Sequence, residues 1–151
     1  MDQVRETINE LLVEIFNHIL FIEEKYMKSK GITISMTEIH ILENTEKSET
    51  KTLGDVARLQ GVTAGTLSVA VNSLVRKGYL MKCKNIQDKR IIHLLLTPKS
   101  NEVLSIHKHF HDRMVETGIR DLDLEKEQAM ISGLAKIVKY FRQQAIDIEG
   151  K

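Results

Sequence analysis

The chain has 151 residues, 42% of them hydrophobic and 28% charged, with a net charge of +1 and one cysteine. This length supports one hydrophobic core; no apolar run reaches the roughly 20 residues of a membrane helix, and one cysteine excludes an internal disulfide framework. The N-terminus starts acidic rather than with the basic-then-apolar layout of a secretory leader, so a cytoplasmic protein with one domain over residues 1–151 and no membrane partner is expected.

Val4, Ile8, Leu11, Ile15, Ile19, Ile22 and Tyr26 recur at helical spacing and predict a long helix over 2–28. Leu12, Phe16, Leu20 and Phe21 widen its apolar stripe beyond what one packing contact needs. Ser35-Met36-Thr37-Glu38 is a capping box, with Ile34 and Ile39 placed as a hydrophobic staple, and it opens a second helix to about Asn44. Thr52 opens a short third helix that ends at Gln60-Gly61. Thr63 caps a fourth, which ends at Lys77-Gly78. Leu80–Lys84 and Ile91–Leu96 read as the strands of a hairpin. Thr97-Pro98 starts a fifth helix carrying Val103, His107, Phe110 and Met114, and Asp123 is placed to cap a last one carrying Met130, Leu134, Ile137, Val138 and Phe141. The fold class is thus mainly α with a small β-hairpin, and residues 35–97 have the order of a winged helix-turn-helix.

The charge is unevenly spread. Residues 50–99 carry nine Lys/Arg and two Asp/Glu, net +7, whereas residues 1–49 are at −5 and residues 100–151 at −1. A concentrated positive field in a near-neutral chain suits an anionic polymer such as double-stranded DNA. In the fourth helix Leu67, Ala70, Val71 and Leu74 form the apolar stripe, and Gly65, Ser68, Val69, Asn72, Ser73 and Arg76 form the opposite face. Ser68, Val69, Asn72 and Arg76 are candidates to read or approach the major groove, with Asn72 suited to adenine and Val69 to a thymine methyl. Thr63, Gly65 and Thr66, at the helix start, are candidates to hold the phosphate backbone. Lys84, Lys89 and Arg90 are the wing candidates, and an arginine suits a narrow minor groove. Asp88 is placed to bond within the turn or to orient Arg90. Cys83 reads as a half-buried strand thiol.

The run Gly61-Val62-Thr63 through Leu74-Val75-Arg76-Lys77-Gly78-Tyr79-Leu80, then Asp88-Lys89-Arg90 and Leu94-Leu95-Leu96-Thr97-Pro98-Lys99, resembles the MarR family of bacterial transcription regulators. The resemblance covers essentially the whole chain. It implies a homodimer in which residues 1–30 and 98–148 supply dimerisation helices and two winged parts read a pseudo-palindromic operator. Ile15-Phe16-Asn17, Ile22-Glu23-Glu24, Ser35 to His40, and Ile106-His107-Lys108 with Phe110-His111 resemble the fatty-acid-synthesis repressors of that family. That likeness implies a sequence-specific repressor of fatty-acid-biosynthesis genes with long-chain acyl-acyl carrier protein as corepressor. Phe16, Ile19, Leu20, Phe21, Phe110 and Met114 are the candidate acyl-binding residues, and each also suits a dimer core.

His107 and His111 stand i, i+4 on one helix, a spacing that binds zinc, and Glu24 and His40 are candidates to complete a site. This resembles zinc-responsive members of the same family, so a zinc effector is the alternative to a chain without a cofactor. Catalysis has no support: there is no Gly-rich phosphate loop, G-x-S-x-G or H-E-x-x-H motif, and the chain is not expected to be an enzyme.

Overall fold

The computed structural model describes residues 2–118, 120–123 and 127–149. Its order is α1 (Asp2–Ser29), α2 (Met36–Lys47), α3 (Leu53–Gln60), α4 (Ala64–Arg76), β1 (Leu80–Lys84), β2 (Ile92–Leu96), α5 (Pro98–Gly118) and α6 (Gln128–Glu149). The expected helical fold with a small hairpin is the one observed. The strands are antiparallel, with Leu80 opposite Leu96 and Lys84 opposite Ile92.

The helix ends follow from local chemistry. At α2, Ser35 Oγ accepts from the Glu38 N–H at 3.2 Å and Glu38 Oε2 accepts from the Ser35 N–H at 3.0 Å, completing the capping box. The helix continues past Asn44 because nothing there breaks it; Thr45 returns its hydroxyl to the Ile41 carbonyl and Lys47 pairs with Glu43. Gly61 and Gly78 end α3 and α4 in the left-handed region, at φ +68° and +78°. There the N–H groups of Val62 and Tyr79 close back onto the carbonyls of Ala57 and Leu74 at 3.0 and 2.9 Å. An L side chain at either glycine would strain this turn. The expected cap Asp123 precedes residues 124–126, which lie outside the described residues, and α6 is recorded from Gln128.

The chain divides into two compact units, Met1–Phe110 and His111–Lys151. In the first, Ile39 and Leu42 of α2, Val56 of α3, Val71 and Leu74 of α4 and Leu94 of β2 form a closed core. Met27 of α1 and Val103 and Leu104 of α5 join the same cluster, so the winged part shares its core with both flanking helices. A connection not legible in the sequence is a third extended segment. The Leu94 N–H donates to the Lys51 carbonyl at 2.8 Å, and Thr52 bridges His93 beside it. Lys51 adopts φ +52°, uncommon outside glycine, and Ser48 Oγ holds its N–H at 2.8 Å.

Two apolar surfaces are left open. On α1, Val4, Ile8, Leu11, Ile15 and Phe16 are exposed. On α6, in the second unit, Met130, Ile131, Leu134, Val138 and Phe141 are exposed. Among the described residues no helix is long and apolar enough to cross a membrane.

Candidate nucleic-acid interface

α3, the Gly61-Val62-Thr63 turn and α4 form the helix-turn-helix. Leu67, Val71 and Leu74 bury one face of α4 while Ala70 packs at its margin, as the apolar stripe predicts. The opposite face stays open. Gly65, Thr66, Asn72 and Arg76 are exposed, Ser68 is half-buried, and Val69 is 73% exposed. So large an exposure of a β-branched apolar residue has no folding benefit, but it suits contact with an apolar patch on a partner. Ser73 departs from the expectation. Its hydroxyl donates to Glu38 Oε1 at 3.1 Å, so it joins α4 to α2 instead of facing outward.

Thr63 caps α4: its Oγ1 accepts from the Thr66 N–H at 3.1 Å and lies 2.9 Å from the Thr66 hydroxyl. Gly65 has no internal reason to lack a side chain. A Cβ there would meet only Thr63 Oγ1, at 3.8 Å, an ordinary contact. Its bareness instead leaves the N-terminal N–H groups of α4 accessible to an anion.

Glu38 sets the position of α4 through two bonds beyond its own cap. Lys77 Nζ donates to Glu38 Oε1 at 2.7 Å, next to the Ser73 bond to the same oxygen. Burial pushes the Glu38 carboxyl up, but the Lys77 ammonium, the Ser35 backbone and the Ser73 hydroxyl together hold it below the ordinary glutamate value. The folded carboxyl therefore contributes stability above its unfolded value of about 4.3, and loses it as pH falls through the lower folded value. Glu38→Gln is expected to cost about 1–3 kcal/mol at pH 7. The difference from the parent should shrink below about pH 4, as read by urea unfolding at both pH values.

The wing is built around two side chains. Asn85 Oδ1 accepts from the N–H groups of Gln87 and Asp88 at 2.9 and 3.2 Å. Asp88 accepts from Arg90 three times: from its backbone N–H at 3.0 Å, from Nε at 3.1 Å and from Nη2 at 3.0 Å. The Arg90 side chain is nonetheless 90% exposed, so it is oriented but not covered. The Arg90 hydrogen bonds hold the Asp88 carboxyl below its ordinary value, and the same contact raises Arg90. Lys84 and Lys89 are exposed beside it. At the base of the wing His93 joins two segments. Asn85 Nδ2 donates to its Nε2 at 3.3 Å, and its Nδ1–H then donates to the Thr50 carbonyl at 3.1 Å. Cys83 is exposed rather than half-buried, because it alternates with the inward Leu80 and lies on the outer face of the hairpin.

A profile described as MarR family matches residues 30–91. Over 93% of this chain and 99% of the other, the fold superposes on Streptococcus pneumoniae FabT in complex with DNA, at TM-score 0.86 and 35% identity. The chain belongs to the MarR family. It is a MarR-type DNA-binding transcriptional regulator. It is also similar to the HTH-type transcriptional regulator SarZ of Staphylococcus haemolyticus, 25% identical over 75% of this chain and 74% of that protein. A third relative, the HTH-type transcriptional regulator YhjH of Bacillus subtilis, is 24% identical over 65% of this chain; the match spans 56% of YhjH, little more than half its length.

The candidate acyl-binding residues are distributed over α1 and α5. Phe16, Leu20 and Phe21 are exposed on α1 and Ile19 is half-buried. Phe110 is buried with its ring 5.2 Å from that of Tyr26, and Met114, in the second unit, is half-buried. A cleft of about 680 Å³ at the C-terminal end of α1 is lined by Met27, Ile32, Ile34 and Met36 together with the polar residues Glu24, Lys28, Thr33, Ser35 and Thr37. Glu24 is corrected as a metal candidate: it pairs with Lys28 at 2.5 Å on the exposed side of α1. Its neighbour Glu23 is the buried carboxylate, with Oε1 2.6 Å from His107 Nε2 and 3.8 Å from His40 Nε2. The spacing held the signal. Glu23 lies four residues from both Ile19 and Met27 on the inward face, whereas Glu24 is four residues from Lys28. His111 belongs to the second unit.

Proposed function

We propose that this regulator is a homodimeric, cytoplasmic repressor of fatty-acid-biosynthesis genes whose grip on a pseudo-palindromic operator is strengthened by long-chain acyl-acyl carrier protein. The full-length likeness to FabT, itself seen in complex with DNA, carries the reading. The motifs shared with fatty-acid-synthesis repressors point the same way. The exposed apolar residues of α1 and α6 are what a second copy would cover in a two-fold dimer. The cleft beside α1 sets Ile32 and Met36 among charged and polar residues that include Glu24, Lys28, Ser35 and Thr37, so it gives an acyl chain only part of an apolar wall. The reading is of a binding protein, not an enzyme, in keeping with relatives that are transcriptional regulators.

Glu23, His40 and His107 favour a second reading, a zinc-responsive regulator. One buried carboxylate and two imidazoles are a suitable zinc donor set. The 3.8 Å separation of Glu23 from His40 is near the roughly 3.3 Å edge of a zinc tetrahedron, whereas the 2.6 Å bond to His107 would have to open. The deciding experiment is fluorescence anisotropy on DNA from upstream of fatty-acid-synthesis genes, with acyl-acyl carrier protein, with zinc, and with a chelator. Tighter binding with the acyl carrier alone is the expected result. A response to zinc alone, lost in Glu23→Gln, would replace the lipid reading with the metal one.

A further inference from the structure

Strand register brings a second side chain to the groove-facing surface of α4. Leu80 of β1 is buried in the core, so Lys82, two residues on, turns to the same face of the hairpin. Lys82 also stands opposite Leu94, a fully buried residue. This face looks toward α4, yet Lys82 is exposed, because it lies where the core gives way to solvent. Its ammonium reaches Asn72, and Lys82 Nζ donates to Asn72 Oδ1 at 2.5 Å. A lysine can only donate, so this contact also fixes which end of the amide is the oxygen.

The bond changes what Asn72 can read. A free asparagine recognises adenine through both ends of its amide, accepting from N6–H and donating to N7. The Lys82 ammonium takes one of the two Oδ1 lone pairs and sets a positive donor beside the other, which opposes the approach of a second donor such as adenine N6–H, while the Nδ2 hydrogens stay open. The remaining ammonium hydrogens of Lys82 lie beside them. Guanine presents two adjacent acceptors, N7 and O6, in the major groove, whereas adenine sets an amino donor next to its N7. With the Lys82 charge beside Oδ1, the pair presents mainly donors, which matches guanine and opposes adenine. We infer that Lys82 and Asn72 act as one donor unit that selects guanine in each half-site, reversing the preference Asn72 would have alone. The inference rests on α4 entering the major groove.

The test begins by selecting duplexes from a randomised DNA library with the full chain, then measures affinity for the selected site and its single-base variants. The base read by Asn72 is the position whose preference disappears in Asn72→Ala. The parent should prefer guanine over adenine there by about tenfold or more, and 7-deazaguanine, which lacks the N7 acceptor, should weaken binding. Lys82→Met keeps the methylene stem and frees the amide, and thermal unfolding checks that it folds. In this variant the preference should move to adenine at the same position. Binding to random DNA should fall modestly at every sequence, as expected for one lost cation. If Lys82→Met weakens all sequences equally and leaves the guanine-to-adenine ratio unchanged, Lys82 is a phosphate contact and the inference is overturned. If Asn72→Ala alters no base preference, α4 does not read bases through Asn72, and the groove reading fails with it.

Discussion

Arg90→Ala is expected to lower affinity for a selected operator roughly 10- to 100-fold and to reduce the salt slope by about one per wing. The cause is geometric as much as electrostatic. Asp88 accepts three hydrogen bonds from Arg90, so the guanidinium enters an encounter already oriented and loses little freedom on binding. A narrow minor groove concentrates negative potential where such a side chain fits. The companion variant Asp88→Ala separates orientation from charge. It removes a negative charge from the wing, which on Coulomb grounds alone strengthens binding to DNA. Orientation predicts the opposite, a weaker complex, because Arg90 is then unrestrained. The depressed Asp88 carboxyl stays ionised above its ordinary range near 3.9 and is neutralised only as pH falls through its lower folded value. The clamp is therefore constant between pH 6 and 8, and any change in operator affinity over that window belongs to another group. Salt titrations by fluorescence anisotropy of the parent and both variants read all three effects.

Leu74→Ala is expected to destabilise the protein by about 2–5 kcal/mol, measured by urea unfolding. Leu74 is 0% exposed and lies in the cluster that joins α4 to α2, β1 and β2. Its truncation loses apolar burial and leaves a cavity that the surrounding core can only partly collapse to fill. The contrasting residue on the same helix is Val69. Val69→Ala should change stability by no more than about 0.5 kcal/mol, because little of the side chain is covered. It should still weaken the selected operator if that site presents a thymine methyl to α4. A large stability loss for Val69→Ala, or a negligible one for Leu74→Ala, would invert the assignment of the two faces of α4.

Much of the architecture is legible along the chain because it is written in short-range relations. Ser35 with Glu38, Thr63 with Thr66 and the left-handed glycines at 61 and 78 each act within a single helical turn. The buried residues of α4 follow one helical period, so Leu67, Val71 and Leu74 could be separated from Val69 and Asn72 before any coordinates. The Asp88–Arg90 contact spans two residues and was equally accessible. The hairpin start differed by one residue, at Ile92 instead of Ile91, where Ile91 instead closes the wing turn by donating to the Asp88 carbonyl.

The partners of the polar side chains were not legible in the same way. Glu38 reads as a capping residue, yet it also binds Ser73 and Lys77 from another helix. Helical spacing turns Glu23 rather than Glu24 inward, but its partner, His107, comes from far along the chain. In the sequence Lys82 is one more lysine of a basic strand; the pairing of β1 with β2 sets which way it turns. The extended segment at Lys51 is not legible in the sequence, because a left-handed lysine has no propensity signal and its partner is Leu94 of a distant strand. The sequence by itself determined the helices, the caps of α2 and α4, the glycine stops of α3 and α4, the basic centre and most of the outward face of α4, since caps, turns and apolar periods act between residues a few positions apart. The tertiary structure alone decided which imidazole the buried acid meets, which serine leaves the outward face of α4 and which lysine accompanies Asn72. Those outcomes depend on side chains that approach only after the core has closed, and no local spacing encodes what will stand opposite them.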